Sequence, residues 1–573
     1  MDNIGQTRSG FMCGQVAVDF ANIFKAFVGA NYLSVSFMFS QSGLLLGIIG
    51  ILVISCVEGH CCSLIVKCKR LAIHKILESR EDWLNSTIEA VENPSRLKLR
   101  KKVERRLTYS DVAWIGAGKW GSRVVTFMLL FTQFGFCIGY LIFLGNTVRK
   151  FFPMIQSTIS FPALTLSPAL SSTAMSPIST MHTTMVQNST TSLFPTNQTS
   201  LLLTTLNSSS TLLNYFTTAN PSFLDSSIST DNMSTMSFMT SNSSSLNPSS
   251  SYPVHLYYII VAVFVPFFAT LALVRNIRHL GAGSMVANFS ILIGYISIMA
   301  YILRGFQVSH TVELANWSTF PIFIGGISSA YEGIGVIIPI ESSMEHTRRW
   351  FHQLLLTVIM LATLILSTIG ILGYLRFGNG TEQTIIWNMT ADTAFPLVVY
   401  SVVSVGVIFT FPLQNFPVIE ICEGFLFAEG GVFGPAKMLE VGDANIQTET
   451  SPLLDSQDEV DPEMLAVLQK LPVAVTIPDS VATWKRNLLR VIIVLLEGSF
   501  ALALKDDYAY FGSFVGAIGS TTLGFIMPCF LHMKLERNLH PVRMVVDIAI
   551  ISFGIIGGIL GVYVSVTTII ENY

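Results

Sequence analysis

Charge is what this sequence has least of. Only 12% of its 573 residues are Asp, Glu, Lys or Arg, against about 25% in soluble domains. With 51% hydrophobic residues, that scarcity excludes a string of soluble domains and points to a polytopic membrane protein. The net charge of −3 and the confinement of basic residues to loops exclude a nucleic-acid surface. Cysteine is also scarce: Cys13, Cys56, Cys61, Cys62, Cys68, Cys137, Cys422 and Cys529 are all there are, and none stands in metal-ligand spacing with histidine. No nucleophile motif, phosphate loop, metal cluster or cofactor fingerprint is present, so neither an enzyme nor a cofactor is expected. The polar first ten residues, followed by long apolar stretches, do not read as a cleavable signal peptide.

What is present is a series of apolar runs of about 20 residues, the length that crosses a bilayer. Eleven spans are predicted near 16–39, 43–66, 121–148, 254–274, 281–303, 319–341, 352–375, 394–416, 488–504, 511–533 and 544–570. Orientation follows from Lys and Arg. With a cytosolic N-terminus, every basic residue falls at a cytosolic segment or edge except Arg149, Lys150, Arg304, Arg376, Lys505 and the intramembrane Lys25. The Asn-x-Ser/Thr acceptors at Asn188, Asn197, Asn207, Asn232, Asn242, Asn316, Asn379 and Asn388 then lie on the opposite, luminal side. None of the cysteines lies in an oxidising loop of this topology, so no structural disulfide is expected. Cys61, Cys62 and Cys68 flank a membrane edge and read as small packing residues, with palmitoylation as the alternative.

The chain divides accordingly. Residues 1–148 hold helices 1 to 3 with a basic cytosolic loop at 67–120. Residues 149–253 form a luminal loop whose Ser/Thr-rich stretch has no Lys or Arg from 151 on, a disordered, mucin-like, glycosylated tract. Residues 254–424 hold helices 4 to 8, 425–487 an acidic cytosolic loop, and 488–573 helices 9 to 11. The acidic loop contains ETSPLL at 449–454. Glu449, Leu453 and Leu454 have the form of an acidic dileucine signal, read by clathrin adaptors that send cargo to endosomes and lysosomes.

Ionisable residues deep in a membrane are costly and usually face a cavity or a partner. Lys25, Glu58 and Glu497 read as structural, the partner of Glu497 coming from another helix. His60 and Glu332 are the stronger functional candidates. Spans 1 and 6, five apart, both carry glycine at mid-depth: Gly29, then Gly325, Gly326, Gly333 and Gly335, beside Ala30, Asn31, Ser34, Ser328 and Ser329. Transporters built from two inverted five-helix repeats break the first helix of each repeat at this place. Broken backbone is tolerated there only where it lines a cavity or is buried in protein, and half-helix ends can hold both charges of an amino acid. The alternative is that these glycines only let helices pack closely.

Several stretches carry a family resemblance: KAFVGANYLSVSF at 25–37, HCCSLIVKC at 60–68, TQFGFCIGYLIFLGNTV at 132–148, FPIFIGGISSAYEGIGVIIPIESSM at 320–344, GYLRFG at 373–378, FPLQNFPVIE at 411–420 and SFVGAIGSTTLGFIMP at 513–528. The chain resembles the amino acid/auxin permease family, nearest its proton-coupled and vacuolar branches. The resemblance implies an all-α integral membrane protein with the LeuT-type fold: eleven transmembrane helices, a 5+5 inverted repeat plus one, discontinuous in helices 1 and 6. It implies amino acid transport driven by a proton or sodium gradient. Carried over by position, the substrate site comprises Val28, Gly29, Ala30, Asn31, Ser328, Ser329, Tyr331 and Glu332. His60 falls where proton-coupled members keep a histidine in span 2, and imidazole can exchange a proton near neutral pH. Glu332 either accepts hydrogen bonds from amides freed at the break or takes up and releases a proton during the cycle.

Two departures bear on function. Where the family has Gly-Thr-Gly in the span-1 break and a proline seven residues after its first glycine, this chain has Gly29-Ala30-Asn31 and Ser36. Ala30 lacks the hydroxyl, and Asn31 puts a side chain where glycine lets a substrate approach. The luminal cysteines of some proton-coupled members are also missing. The expectation is a secondary active, proton-coupled transporter exporting small neutral amino acids across a lysosomal or late endosomal membrane, with the plasma membrane as the alternative site. The rival is a non-transporting amino acid sensor or signalling scaffold on the same fold.

Overall fold

The computed structural model describes residues 2–78, 104, 107–159, 254–274, 277–331, 333–344, 347–389, 394–428, 431–433 and 481–572. Regular structure among them is entirely helical, without strands. Glu332, Asn188, Asn197, Asn207, Asn232, Asn242, Glu449, Leu453 and Leu454 lie outside the described residues.

The chain enters through α1 (Asp2–Phe27), a 3₁₀ turn at Ala30–Ser34 and α2 (Val35–Ser42). It continues through α3 (Leu44–Glu78), α4 (Tyr109–Ile159), α5 (Val254–Ala272) and α6 (Ile277–Leu303). Then come α7 (Phe320–Ala330), α8 (Ile334–Ser343), α9 (Phe351–Phe377), α10 (Ala394–Phe427) and α11 (Thr483–Ala503). The span Tyr508–Leu535 is α12 (Tyr508–Val515), two π-helical turns at Gly516–Ser520 and Thr522–Ile526, and α13 (Met527–Leu535). The last element is α14 (Pro541–Glu571).

Among the described residues eight helices are long and apolar enough to cross a membrane, or up to nine if the pair Gln15–Phe27 and Ala30–Ser42, bent by 50°, counts as one span. Two of the eleven expected spans fall short. The described apolar part of one is Val261–Ala272. The other, α11, carries Lys485, Arg486, Arg490 and Glu497. In α4 the backbone turns out of helical geometry at Gly118 (φ +70°), a conformation glycine adopts without cost. That turn separates the stretch after Tyr109 from the membrane-length run that follows.

Burial sorts inner helices from outer ones. The most apolar window of Phe320–Ser343 is 82% buried, that of Met285–Leu303 only 28%. The broken sixth segment therefore lies at the centre, packed by α2, α12 and α14. Small residues make this possible. A Cβ on Gly516 would lie 2.1 Å from the Gly325 carbonyl and 2.8 Å from Ser329 Cβ, so the first π-helical turn meets α7 backbone to backbone. Ser513 Oγ donates to the Ile322 carbonyl at 2.6 Å across the same contact.

Buried ion pairs mark helix ends in the bundle. At the end where α3 finishes, Lys69 and Glu341, both fully buried, pair at 2.7 Å, and Arg348 reaches Glu341 and Glu104, each at 2.6 Å. Also at bundle edges, Glu423 accepts from Arg486 and Arg490, both at 2.7 Å. The described sequons share the other end. There Leu44 N donates to Glu313 O, Asn316 N to Ser42 O, and Asn379 N to Thr311 Oγ1. Asn379 is exposed. Asn388 is half-buried, and its amide is engaged on both sides, Nδ2 to Gly380 O at 2.8 Å and Oδ1 from Glu382 N at 2.9 Å. Cys61, Cys62 and Cys68 are fully buried. Cys61 Sγ lies 3.9 Å from Cys529 Sγ and Cys68 faces Pro528 O. They are packing residues, and an acyl chain has no access to them.

Candidate functional site

The first break begins where α1 ends. Val28 N still reaches Phe24 O at 3.1 Å, but Gly29 is extended (φ −94°, ψ −172°), so the regular i to i−4 ladder stops. Ala30–Ser34 resumes as a tighter 3₁₀ turn, which often marks a functional hinge in mid-helix. Ser34 Oγ caps it by donating to Asn31 O at 2.9 Å. The second break follows Ala330. Tyr331 leaves helical geometry (φ −94°, ψ 55°), and α8 begins after Gly333, which sits against the Phe27 ring. Proximity to Phe27 brings the end of α1 beside the start of α8.

The two breaks meet directly. Asn31 Nδ2 donates to Ser329 O at 3.0 Å, joining residues 298 positions apart in the chain. Val28, Ala30, Ser328, Ser329 and Tyr331 are buried around this contact, with Asn31 half-buried. Ser329 Oγ is satisfied by Gly326 O at 2.8 Å, and Tyr331 OH donates to Thr363 Oγ1 at 2.8 Å. Among the described residues, Ser328 Oγ and Tyr32 OH are buried without a partner, so each retains an unused hydrogen bond there. Ser36, where the family resemblance implied a proline, donates to Ile369 O at 2.7 Å and fixes α2 to α9.

Three small cavities flank the breaks; one, between Val28 and Tyr32 of the first break and Asn288 and Tyr295 of α6, offers about 30 Å³ to the centre of a water molecule, and two are smaller. Of these two, one is lined by Asn31, Ser34, Met38, Ser329, Tyr508 and Gly512, with Gly135, Phe136 and Gly139 of α4 as its wall. The other is lined by Glu58 of α3, Thr132 and Gln133 of α4, Tyr331 and Ile334 at the second break, and Ser520 of the first π-helical turn. Each offers about 10 Å³ to the centre of a water molecule, room for one water. Among the described residues, no larger space opens between the breaks, and Asn31 bridges them.

Of the two proton-coupling candidates, Glu332 lies outside the described residues, and His60 is not at the breaks. His60 is exposed. It continues the outward stripe of Leu45, Ile49, Leu52 and Cys56 on α3, and it is not brought to the breaks. Glu58, two residues earlier, is 3% exposed and points inward. Sequence reasoning treated it as structural, because an apolar run on both sides hides which face of a helix is inside. Glu497 is fully buried in α11, and its expected partner from another helix is Asn415 of α10, whose Nδ2 donates at 3.3 Å.

A profile described as transmembrane amino acid transporter protein matches residues 94–210 and 227–567. The chain belongs to this family. Its described relatives include vacuolar amino acid transporter 3 of Saccharomyces cerevisiae, 27% identical over 301 residues, which are 52% of this chain and 37% of the relative. Vacuolar amino acid transporter 4 of the same yeast is 27% identical over 306 residues, 51% of this chain and 39% of the relative. The chain thus spans less than two fifths of these yeast proteins. Amino acid transporter AVT3B of Arabidopsis thaliana is 22% identical over 554 residues, covering 96% of this chain and 93% of the relative. The family match begins after the first break, so the departure at Ala30 and Asn31 lies outside it.

Proposed function

We propose that this chain is a secondary active, proton-coupled transporter that moves small neutral amino acids out of an endolysosomal lumen by alternating access. The observation that carries this reading is the Asn31–Ser329 hydrogen bond, which joins two interrupted helices at the buried centre of the bundle. Membership of an amino acid transporter family and similarity to vacuolar transporters support the substrate class and the compartment. The fold we assign is eleven spans, two inverted five-helix repeats and one further helix, with the short α11 and α5 counted as spans.

In this mechanism the substrate ammonium takes the Ser329 carbonyl that Asn31 now occupies, and the hydroxyl of Ser328 or Tyr32 supplies a further bond. The carboxylate goes to the start of a half-helix, where unpaired amides and the helix dipole favour an anion. The site opens alternately to the two ends, and the ion pairs at the Lys69 end must part for it to open there. Asn379 and the sequons of 149–253 carry glycans on the luminal side, and residues 449–454 engage a clathrin adaptor for delivery, the plasma membrane being the destination if they do not.

One observation favours the rival reading. Asn31 fills the gap between the breaks, as it would in a sensor that binds an amino acid without passing it on. Labelled flux of each of the twenty amino acids into proteoliposomes, with and without a pH gradient, separates the two. The expected result is saturable flux of glycine, alanine or a close homologue that rises severalfold with the gradient. Binding without flux for all twenty would establish the sensor.

A further inference from the structure

We infer that Glu58, and not His60, is the group that carries the coupling proton, held in the one-water cavity on the far side of the second break from Asn31. The inference rests on the transport reading above and deepens it. It stands on three observations.

The first is that the Glu58 carboxyl lacks a cationic partner. Among the described residues its one hydrogen-bond partner is the Cys62 thiol, a weak donor, 3.5 Å from Oε1. Oε2 abuts Gly524 of the second π-helical turn, where a Cβ would lie 3.2 Å away. The groups facing it from neighbouring elements are Thr132 and Gln133 of α4, Tyr331 at the break and Ser520 of the π-helical turn; Cys61 and Cys62 lie on α3 itself. None is Lys, Arg or His. An unpaired buried anion is expensive, so such a site takes a proton or a cation.

The second observation is the chemistry of the lining. Among the described residues, the Gln133 Oε1 acceptor and the Ser520 hydroxyl are buried with no partner. A carboxylate can only accept hydrogen bonds, and it leaves Gln133 Oε1 unmatched. The Ser520 hydroxyl can donate to a carboxylate, but only a carboxylic acid can itself donate to the Gln133 oxygen. Protonation thus offers one donor to the α4 side of the cavity, where Gln133 lies, and loss of the proton withdraws it.

The third is position. The two smaller cavities share α4, Thr132 and Gln133 lining one and Phe136 the other, about one helical turn or 5 Å apart. They also share the second break, with Tyr331 in one and Ser329 in the other. A proton on Glu58 is therefore felt at the carbonyl that binds Asn31 or, in its place, the substrate, through one turn of α4 and two residues of the break. His60 is on the opposite face of α3 and has no such route.

The test uses the full-length chain in proteoliposomes, with labelled alanine. Two readouts are needed: exchange at equal pH on both sides, and accumulation driven by an imposed pH gradient. Glu58→Gln is expected to keep exchange within about threefold of wild type, to lose gradient-driven accumulation, and to flatten the dependence of exchange on pH between 5 and 8. Glu58→Asp restores part of the gradient response, and His60→Ala retains all of it. Wild-type accumulation by a Glu58→Gln variant, or wild-type protein driven by sodium and not by pH, overturns the assignment while leaving transport intact. Wild-type protein with no exchange overturns the transport reading and this inference together. If Glu58→Gln does not reach the liposomes, Gln133→Met and Ser520→Ala carry the test. Each is expected to displace the pH midpoint of accumulation, and an unmoved midpoint in both sinks the inference.

Discussion

Two kinds of buried carboxylate share this bundle, and they differ in company. Glu341 has Lys69 on one oxygen and Arg348 on the other. Glu423 is held in the same way by Arg486 and Arg490. Both sit where helices end and both are saturated. Glu58 is as deeply buried and, among the described residues, has only a thiol. Burial alone does not set Glu58 apart; what does is the lack of a cation among the described residues, which it shares with Glu497 on Asn415, together with its place beside the second break. A carboxylate with two fixed cations has no reason to change state. One with orphan acceptors around it gains bonds by taking up a proton.

The sharpest way to break that comparison is to uncover a saturated pair. Glu341→Gln leaves the Lys69 ammonium fully buried without its counter-ion, which costs about 3–5 kcal/mol where one partner of a buried pair is removed. A large fall in the thermal midpoint of the detergent-solubilised protein is expected. Glu58→Gln replaces a carboxyl that has no cation to abandon, and its midpoint should stay near wild type. Equal losses for the two variants would erase the distinction and make Glu58 a structural group.

How much of this was legible beforehand depends on the phase of each helix. The breaks were readable, because Gly29 and the glycines around Ser328 and Ser329 stand out in apolar runs, and their spacing of five spans is a pattern in the chain itself. The polar choice within α3 was not. Leu45, Ile49, Leu52, Cys56 and His60 face outward, while Ile51, Ile54, Glu58, Cys61 and Ile65 face inward, and both stripes are apolar apart from one ionisable residue each. A helix that is hydrophobic all round gives no moment from which to read its inner side. For the same reason Asn31 read as an obstacle in the substrate path, although its partner, the Ser329 carbonyl, is a backbone atom that no residue pattern reveals. The ion pairs at the helix ends are not visible in the sequence pattern: Lys69 and Arg348, which close over Glu341, lie far from it or past the end of its helix in the chain.

A smaller effect sharpens the site rather than the frame. Asn31→Gly removes the bridge between the breaks and restores the residue that the family resemblance led us to expect there. A single neutral hydrogen bond contributes about 0.5–1.5 kcal/mol net, so the substrate, no longer competing with Asn31 for Ser329 O, should bind up to roughly tenfold more tightly. A fall in KM for alanine, with larger neutral amino acids becoming competitors, is the expected outcome of a competition assay. An unchanged KM would show that Asn31 stays in place when substrate binds, and would favour the sensor.

The smallest effect lies outside the membrane-spanning segments, in a carboxylate of intermediate company. Glu536 follows the last turn of α13 and accepts from Lys67 on Oε2, the same oxygen that lies 3.2 Å from His532 Nε2. The hydrogen bond from Lys67 is the chief influence holding its carboxyl below the usual glutamate range, against a lesser effect of burial. A carboxyl depressed in the folded state stabilises the protein above its unfolded value, near 4.3 for glutamate, and that stability is lost as pH falls further through the folded value. Because Lys67 and Glu536 are both partly exposed, the pair is screened and contributes little, on the order of a few tenths of a kcal/mol. Glu536→Gln should therefore match wild type in thermal midpoint below pH 4 and fall slightly behind it above pH 5. A deficit as large as that of Glu341→Gln would mean that Glu536 also anchors His532 and its buried partner Asp547, 2.6 Å away on Nδ1. This edge would then join the saturated class to which Glu341 and Glu423 belong.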